Sequence, residues 1–279
     1  MKQVKALQRI YSLPDRIIIH GSNIRNELEH IFQIPPYKVI IQKHGAKDPE
    51  NGNKVDYDIR LITYDIKNKI RSYDKRFLFI GDMHYNKGID RLIKVWAEIG
   101  DASCLLIIAG QKVGRYRELE GLEALIRRTD NILYIDYFIE DNLLNFFLSS
   151  VDCVLLPYRH ASMSGVIFSA AQFRKTILCT DVGALSEYVV NGETGFVVRN
   201  ADESLKNALS ELIYTVSREE LQKMGEANFQ YIDREYSWDK IARDLSVECY
   251  GGASPMGGER NAGIDTGRRF GNTIKKGSQ

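Results

Sequence analysis

The stretch LPYRHASMSGVIFSAAQF, residues 156–173, starts as the end of a buried strand and finishes as an apolar helix. Ala161, Ser162, Met163, Ser164 and Gly165 stand at the handover. Outward from it, short β-branched runs recur on both sides: RIIIHG (16–21), KVIIQKHG (38–45), FLFIGD (77–82), CLLIIAG (104–110), ILYIDYF (132–138), CVLLPYR (153–159) and TILCTD (176–181). The runs are continuous instead of alternating, which is how strands read when helices cover both faces of a parallel sheet. Helical patterns lie between them. IDRLIKVWAEI places Ile89, Leu92, Ile93, Trp96 and Ile99 on one face, and LEALIRR, EDNLLNFFLSS and ESLKNALSELIYTV behave similarly. This alternation predicts an α/β fold with a doubly wound parallel sheet.

Open parallel sheets bind ligands in the crevice beyond the carboxyl ends of their strands, and 156–159 is such an end. Ser164 is expected there as an N-cap, and Gly165 lets a ligand approach the backbone. The helix start offers unpaired N–H groups and about half a positive charge, a seat for phosphate. Plain capping is the competing reading of the same residues. Neighbouring strand ends add cations. Gly81 closes FLFIG and is followed by Asp82-Met83-His84-Tyr85-Asn86-Lys87-Gly88, while CLLIIAG is followed by Gln111-Lys112. Lys87 and Lys112 therefore emerge on the edge that carries the serine-glycine turn, where a diphosphate needs positive charge. Either lysine alone also reads as a solvated surface residue.

Bulk composition narrows the classes. With 279 residues, 44% hydrophobic and 27% charged, the chain is long and apolar enough for one large domain or two small ones. Its 38 Lys+Arg against 37 Asp+Glu leave no overall field to recruit nucleic acid or an anionic membrane. Cys104, Cys153, Cys179 and Cys249 lack paired ligand spacing, and the first three sit in apolar runs. Reduced, buried thiols are the expectation, which favours the cytoplasm. The start lacks a signal-peptide core, and no run approaches the about 18 apolar residues of a membrane helix. A peripheral membrane contact stays open.

Three boundaries divide the chain. The polar segment 46–54, AKDPENGNK, separates two strand-bearing units from the rest. After Tyr250 the chain turns glycine-rich, with five basic and two acidic residues and few apolar ones. Disorder is expected for 251–279, which also reads as a fusion remnant. Residues 16–45 hold two strands and a helix, too little for a domain with its own core. The expected organisation is a domain remnant over 1–45, a linker and connecting helix over 46–70, a ligand-binding domain with its closing helix over 71–250, and the tail.

The segments GDMHYNKGIDRLIKVW, LLIIAGQK, ILYIDYFIEDNLLNFF, CVLLPYRHASMSGVIFSAAQFRKTILCTDVGALSEYVVNGETGFVV and YSWDKIA together resemble the nucleotide-sugar half of glycosyltransferase family 4, over roughly 16–250. That family has the GT-B fold of two facing Rossmann-like domains, so the resemblance implies its C-terminal domain, with the N-terminal domain mostly absent. Implied diphosphate-binding residues are Gly81, Lys87, Lys112, Ser164, Gly165 and Val166. Phe138 matches the segment that meets the base, and Glu187 stands in a glycine-glycine-x-x-glutamate position whose second glycine is Ala184. Several departures accompany this. Asp82 occupies the place of a diphosphate-binding arginine, and Ser162 and Ala170 stand where most members carry two glutamates, near the donor sugar and on the ribose. The hydroxyl of Ser162 or Ser164 is the candidate substitute.

The implied reaction moves a sugar from a nucleoside diphosphate to an acceptor hydroxyl with retention, in polysaccharide or cell-envelope glycan synthesis, without a metal or other cofactor. Asp56-Tyr57-Asp58 resembles a metal motif of another transferase fold but reads as routine capping after a linker. The family's catalytic histidine and acceptor site belong to the N-terminal domain. His20 and His44 do not hold that position and read as loop or packing residues, so catalytic residues stay unassigned. Expected partners are a nucleotide sugar, an acceptor of unknown identity and a separate chain supplying the missing domain. A nucleotide-sugar binding module without turnover is the alternative, and a sugar-nucleotide epimerase of GT-B fold is a lesser one.

Overall fold

The computed structural model describes residues 2–45 and 64–250. The segment 46–54, the Asp56-Tyr57-Asp58 triplet and the tail 251–279 lie outside the described residues.

Residues 2–45 form α1 (Lys2–Ser12), β1 (Ile17–Ile19), α2 (Ser22–His30) and β2 (Val39–Ile41). From residue 64 the order is α3 (Tyr64–Arg71), β3 (Lys75–Ile80), α4 (Ile89–Ile99), β4 (Cys104–Gly110), α5 (Arg117–Glu120), α6 (Glu123–Arg128), β5 (Ile132–Asp136) and α7 (Asp141–Ser150). Then come β6 (Cys153–Leu156), α8 (Val166–Gln172), β7 (Thr176–Thr180), β8 (Gly195–Val198), α9 (Asp202–Tyr214), α10 (Arg218–Tyr236) and α11 (Trp238–Tyr250). Six strands make one parallel sheet in the order β5-β4-β3-β6-β7-β8, and β1 and β2 pair in a separate parallel ribbon. The expected doubly wound α/β architecture is present.

The continuous apolar runs behave as their composition dictates. β4, β6 and β7 are buried along their whole length, because helices lie against both faces. Phe77, Leu78, Phe79, Leu92, Ile107, Phe147, Leu155 and Leu209 join strands and helices into one large core. The ribbon of β1 and β2 has a small core of its own, built on Ile19, Leu28, Ile34 and Val39. Four elements, α1, α5, β8 and α10, escape the strand-and-helix reading of the sequence. Strand β8 is only four residues long, and its Gly195 sits so close to β7 that a Cβ would run into the Ile177 carbonyl. The N-terminal α1 is amphipathic but leaves Val4, Leu7 and Ile10 exposed.

Helix ends are closed by identifiable groups. Ser217 and Glu220 form a reciprocal capping box at the start of α10. The Lys75 ammonium donates to the carbonyls of Leu212, Ile213 and Val216 at 3.0, 2.7 and 2.5 Å. It thereby satisfies acceptors that the end of α9 leaves open and fastens that helix to β3.

Candidate functional site

All six strands of the large sheet end on one edge, and the reversal of strand order between β3 and β6 opens a crevice there. The loop after β3 and the loop after β6 meet across it. Gly88, at φ +68°, is needed for that meeting, because a Cβ would collide with the Pro157 carbonyl. On the other side, the Arg159 backbone N–H donates to the Asn86 carbonyl at 2.7 Å.

Lys87 closes a short 3-10 turn over Tyr85–Lys87. Its ammonium lies 3.9 Å from the centre of the Tyr158 ring, and the Tyr158 hydroxyl meets Ser164 Oγ at 3.2 Å. One buried ring therefore joins the lysine of the first loop to the serine of the second. Among the described residues, the Lys87 ammonium has no salt-bridge partner, although Asp82 acts on it electrostatically. Burial lowers the Lys87 pKa, and Asp82 opposes that shift. Burial pushes the Tyr158 hydroxyl up to about 12, against the Ser164 hydrogen bond, so it stays neutral. His84, in the same loop, is lowered by burial and then by the Lys87 charge, with Asp82 opposing.

Ser164 is not the N-cap that the sequence suggests. Helix α8 begins at Val166 behind Gly165, whose backbone is already helical at φ −62° and ψ −21°, and no side chain caps it. The Ser164 hydroxyl is instead drawn to Tyr158. Among the described residues, the N–H groups of Ser164, Gly165 and Val166 find no protein acceptor, and Gly165 is exposed. Because α8 has only seven residues, the local N–H groups matter here more than a long-helix dipole.

Gly81, Phe138 and Val166 line one cavity of about 150 Å³, shared with Gly110, Gln111 and Leu144. Phe138 is exposed at its mouth, and the walls are mostly apolar. The structure thus brings together Gly81, Lys87, Phe138, Ser164, Gly165 and Val166. Lys112 is held differently. Its ammonium is 3.1 Å from Asp136 Oδ2 and its N–H donates to Asp136 Oδ1, so its charge is balanced at the end of β5. A roomier cavity of about 860 Å³ lies at the opposite edge, beside Lys175, where Arg174 and Arg218 are paired with Glu226 and Asp152.

Ser162 is exposed, and its carbonyl accepts from the Ala184 N–H at 3.0 Å. Gly183, at φ +58°, packs on Ala161 where a Cβ would hit its carbonyl. Ala170 is fully buried. Asp82 is exposed, with Gln111 Nε2 at 3.5 Å. Glu187 faces the N-terminal ribbon. Its Oε1 accepts from the Ser22 N–H at 3.0 Å and the Ser22 hydroxyl at 2.7 Å, closing the start of α2. Asn23 donates to the Gly183 carbonyl, and Tyr188 links the His20 carbonyl to the His44 N–H. The His44 ring stacks on Phe168 at 5.3 Å and lies 5.9 Å from Trp238, so it carries packing at this junction.

Replacing Glu187 with alanine is expected to loosen 2–45 by about 1–2 kcal/mol. Hydrogen exchange checks this: α2 amides should exchange faster while β3 to β7 keep their protection. Unchanged α2 exchange would show that the carboxylate is not a fastening.

Among the described residues no group of three or more His, Cys, Asp or Glu side chains is placed to hold a metal ion. No described helix is long and apolar enough to cross a membrane.

The family model described as "Glycosyl transferases group 1" matches residues 74–215. An uncharacterized glycosyltransferase of Methanocaldococcus jannaschii is 26% identical over 87% of this chain and 61% of its own length. Among solved structures, the sucrose-phosphate synthase of Thermosynechococcus elongatus is similar at a TM-score of 0.69 and 17% identity, over 88% of this chain and 60% of that one. Anabaena HepE, solved with UDP and glucose, is similar at a TM-score of 0.70 and 13% identity, over 88% and 66%. The chain therefore spans about 60% of the length of the first of these relatives.

Proposed function

The chain belongs to the group 1 glycosyl transferases, with the Rossmann-like fold of a GT-B C-terminal domain, and from that premise we propose that it supplies the donor-binding half of a retaining, family 4 type transferase. The donor is a nucleoside-diphosphate sugar, and the pathway is polysaccharide or cell-envelope glycan synthesis in the cytoplasm or at its membrane face. The bond between the anomeric carbon and the diphosphate oxygen breaks, and its electron pair leaves with the diphosphate. A new bond forms from the acceptor oxygen to the same face of that carbon, and the acceptor proton passes to the leaving phosphate.

The observation that carries this reading is the Lys87–Tyr158–Ser164 contact beside the unpaired N–H groups of the 164–166 turn. A cation and preorganised N–H donors are what a departing diphosphate requires without a metal. The apolar cavity lined by Phe138 and Val166 offers a surface for the base beside that turn. HepE, a fold neighbour solved with UDP and glucose, is in keeping with a nucleotide-sugar ligand for this fold. The absence of carboxylates at Ser162 and Ala170 favours a second reading, in which the nucleotide sugar is bound and not consumed.

A thermal-shift series with UDP, GDP, ADP and their sugars tests both. One nucleotide is expected to raise Tm, since a hundredfold excess over Kd adds about 2.7 kcal/mol. No shift from any of them at millimolar concentration would end the donor reading. Where one sugar nucleotide binds, its consumption over hours separates transfer from mere binding.

A further inference from the structure

The turn that presents Lys87 is held through its two preceding residues, Tyr85 and Asn86, by Arg159. Arg159 directly follows Tyr158, on the exit from β6. Its guanidinium donates from Nη1 and Nη2 to the two oxygens of Asp90 at 2.6 and 2.9 Å, and from Nη1 to the Tyr85 carbonyl at 3.0 Å. The same group lies 4.3 Å from the centre of the Tyr85 ring. Its backbone N–H takes the Asn86 carbonyl at 2.7 Å, and His160 N–H reaches the same oxygen at 3.3 Å. Arg159 thus engages Tyr85 and Asn86, the two residues before Lys87, and Asp90 on the first turn of α4.

Asp90 is in turn fixed. Its side chain is buried, and Tyr116 donates to Oδ1 at 2.5 Å. Arg159 is half-buried, so the fork is held in one orientation between a buried carboxylate and a main-chain carbonyl. A planar guanidinium meets the two carboxylate oxygens as a rigid bidentate fork, whereas an ammonium offers rotatable donors with no fixed plane.

We propose that Arg159 is a positioning residue for diphosphate recognition: it locks the Tyr85–Lys87 turn to the exit of β6 and so sets where the Lys87 ammonium stands relative to the Ser164 turn. This rests on the donor reading above and deepens it. Triplet 157–159 acts as one device, with Pro157 against Gly88, Tyr158 between Lys87 and Ser164, and Arg159 under the turn.

The test uses Arg159→Lys in the full chain, which keeps a cation beside Asp90 but loses the fork. Titration calorimetry compares the nucleoside diphosphate selected by the wild-type chain with the corresponding monophosphate. The expected result is a loss of about tenfold in diphosphate affinity with monophosphate affinity held within about twofold, and with the ligand-free Tm near wild type. A role in folding alone would lower both affinities by one factor, or lower Tm with the affinity ratio unchanged, and either result overturns the proposal. Where Arg159→Lys does not fold, Tyr85→Ala, which removes the ring under the guanidinium and keeps the Asp90 pair, takes its place with the same expected split. A wild-type chain that binds no nucleotide would remove the donor reading and this inference with it, whereas wild-type binding with an unchanged ratio in the variant removes only the inference.

Discussion

Replacing Asp90 with alanine is expected to lower folding stability by about 3–5 kcal/mol, the largest effect of any single change considered for this chain. The carboxylate is buried between the Arg159 fork and the Tyr116 hydroxyl, and its removal leaves a desolvated guanidinium and phenol without their acceptor. Burial by itself would raise the Asp90 pKa. Hydrogen bonds from Arg159 and Tyr116, with the Arg159 charge, outweigh it and hold the carboxyl below the usual carboxylate range. A folded-state pKa lowered in this way gives stability that is fully present above the unfolded value of about 3.9 and is lost as pH falls through the folded value. Urea unfolding should therefore show a wild-type advantage over Asp90→Ala that is flat from neutral pH down to about 5 and shrinks only in stronger acid. An advantage that already declines between pH 7 and 5 would point to a different group.

Lys87→Ala is expected to remove most of the nucleotide-induced rise in Tm and to weaken diphosphate binding by about a hundredfold, on the order of 3 kcal/mol. The ammonium stands over Tyr158 without a salt-bridge partner among the described residues, so nothing in the protein has to be released before it meets a phosphate. Its partial burial matters as well. Burial lowers the lysine pKa because the charge is poorly solvated, and an anionic ligand restores what water does not supply. The alanine variant should keep its ligand-free folding stability within about 1 kcal/mol, since only one ring contact is lost. Undiminished nucleotide shifts in Lys87→Ala would move the phosphate site away from this crevice. Lys112→Ala serves as the comparison, and a smaller loss is expected because that ammonium is already on Asp136.

The sheet was readable from the chain because burial on both faces leaves a signature in every run, from FLFIGD to TILCTD. Those runs contain β4, β5, β6 and β7 and overlap β3, which starts two residues earlier, at Lys75. Strand β8 was not readable as a strand, since four residues beginning with glycine carry too little pattern. Position along an edge was also readable. Gly81, Lys87, Phe138 and the 164–166 turn all follow strand ends; Gly81, Phe138 and Val166 line one cavity, and Lys87 meets Ser164 through Tyr158. What spacing could not convey is which partner each side chain meets. Ser164 looks like a cap by local rules, yet Tyr158 takes its hydroxyl; Lys112 looks like a free cation until β5 brings Asp136 beside it. Glu187 finds Ser22 at the far end of the chain, and Arg159 finds Asp90 across the reversal of the sheet. Such pairings depend on tertiary neighbours with no sequence periodicity, so no local pattern encodes them.

The pairing of β3 with β6, through Phe77 with Cys153 and Leu78 with Val154, has a kinetic corollary. These strands are neighbours in space but far apart along the polypeptide, so joining them closes a long loop and is slow relative to the contiguous zipping of β3 with β4 and β4 with β5. The nucleotide site proposed above spans that seam, so a refolding intermediate holding only β3, β4 and β5 would be structured by circular dichroism and still blind to ligand. Recovery of ligand sensitivity then acts as a clock for closure of the seam.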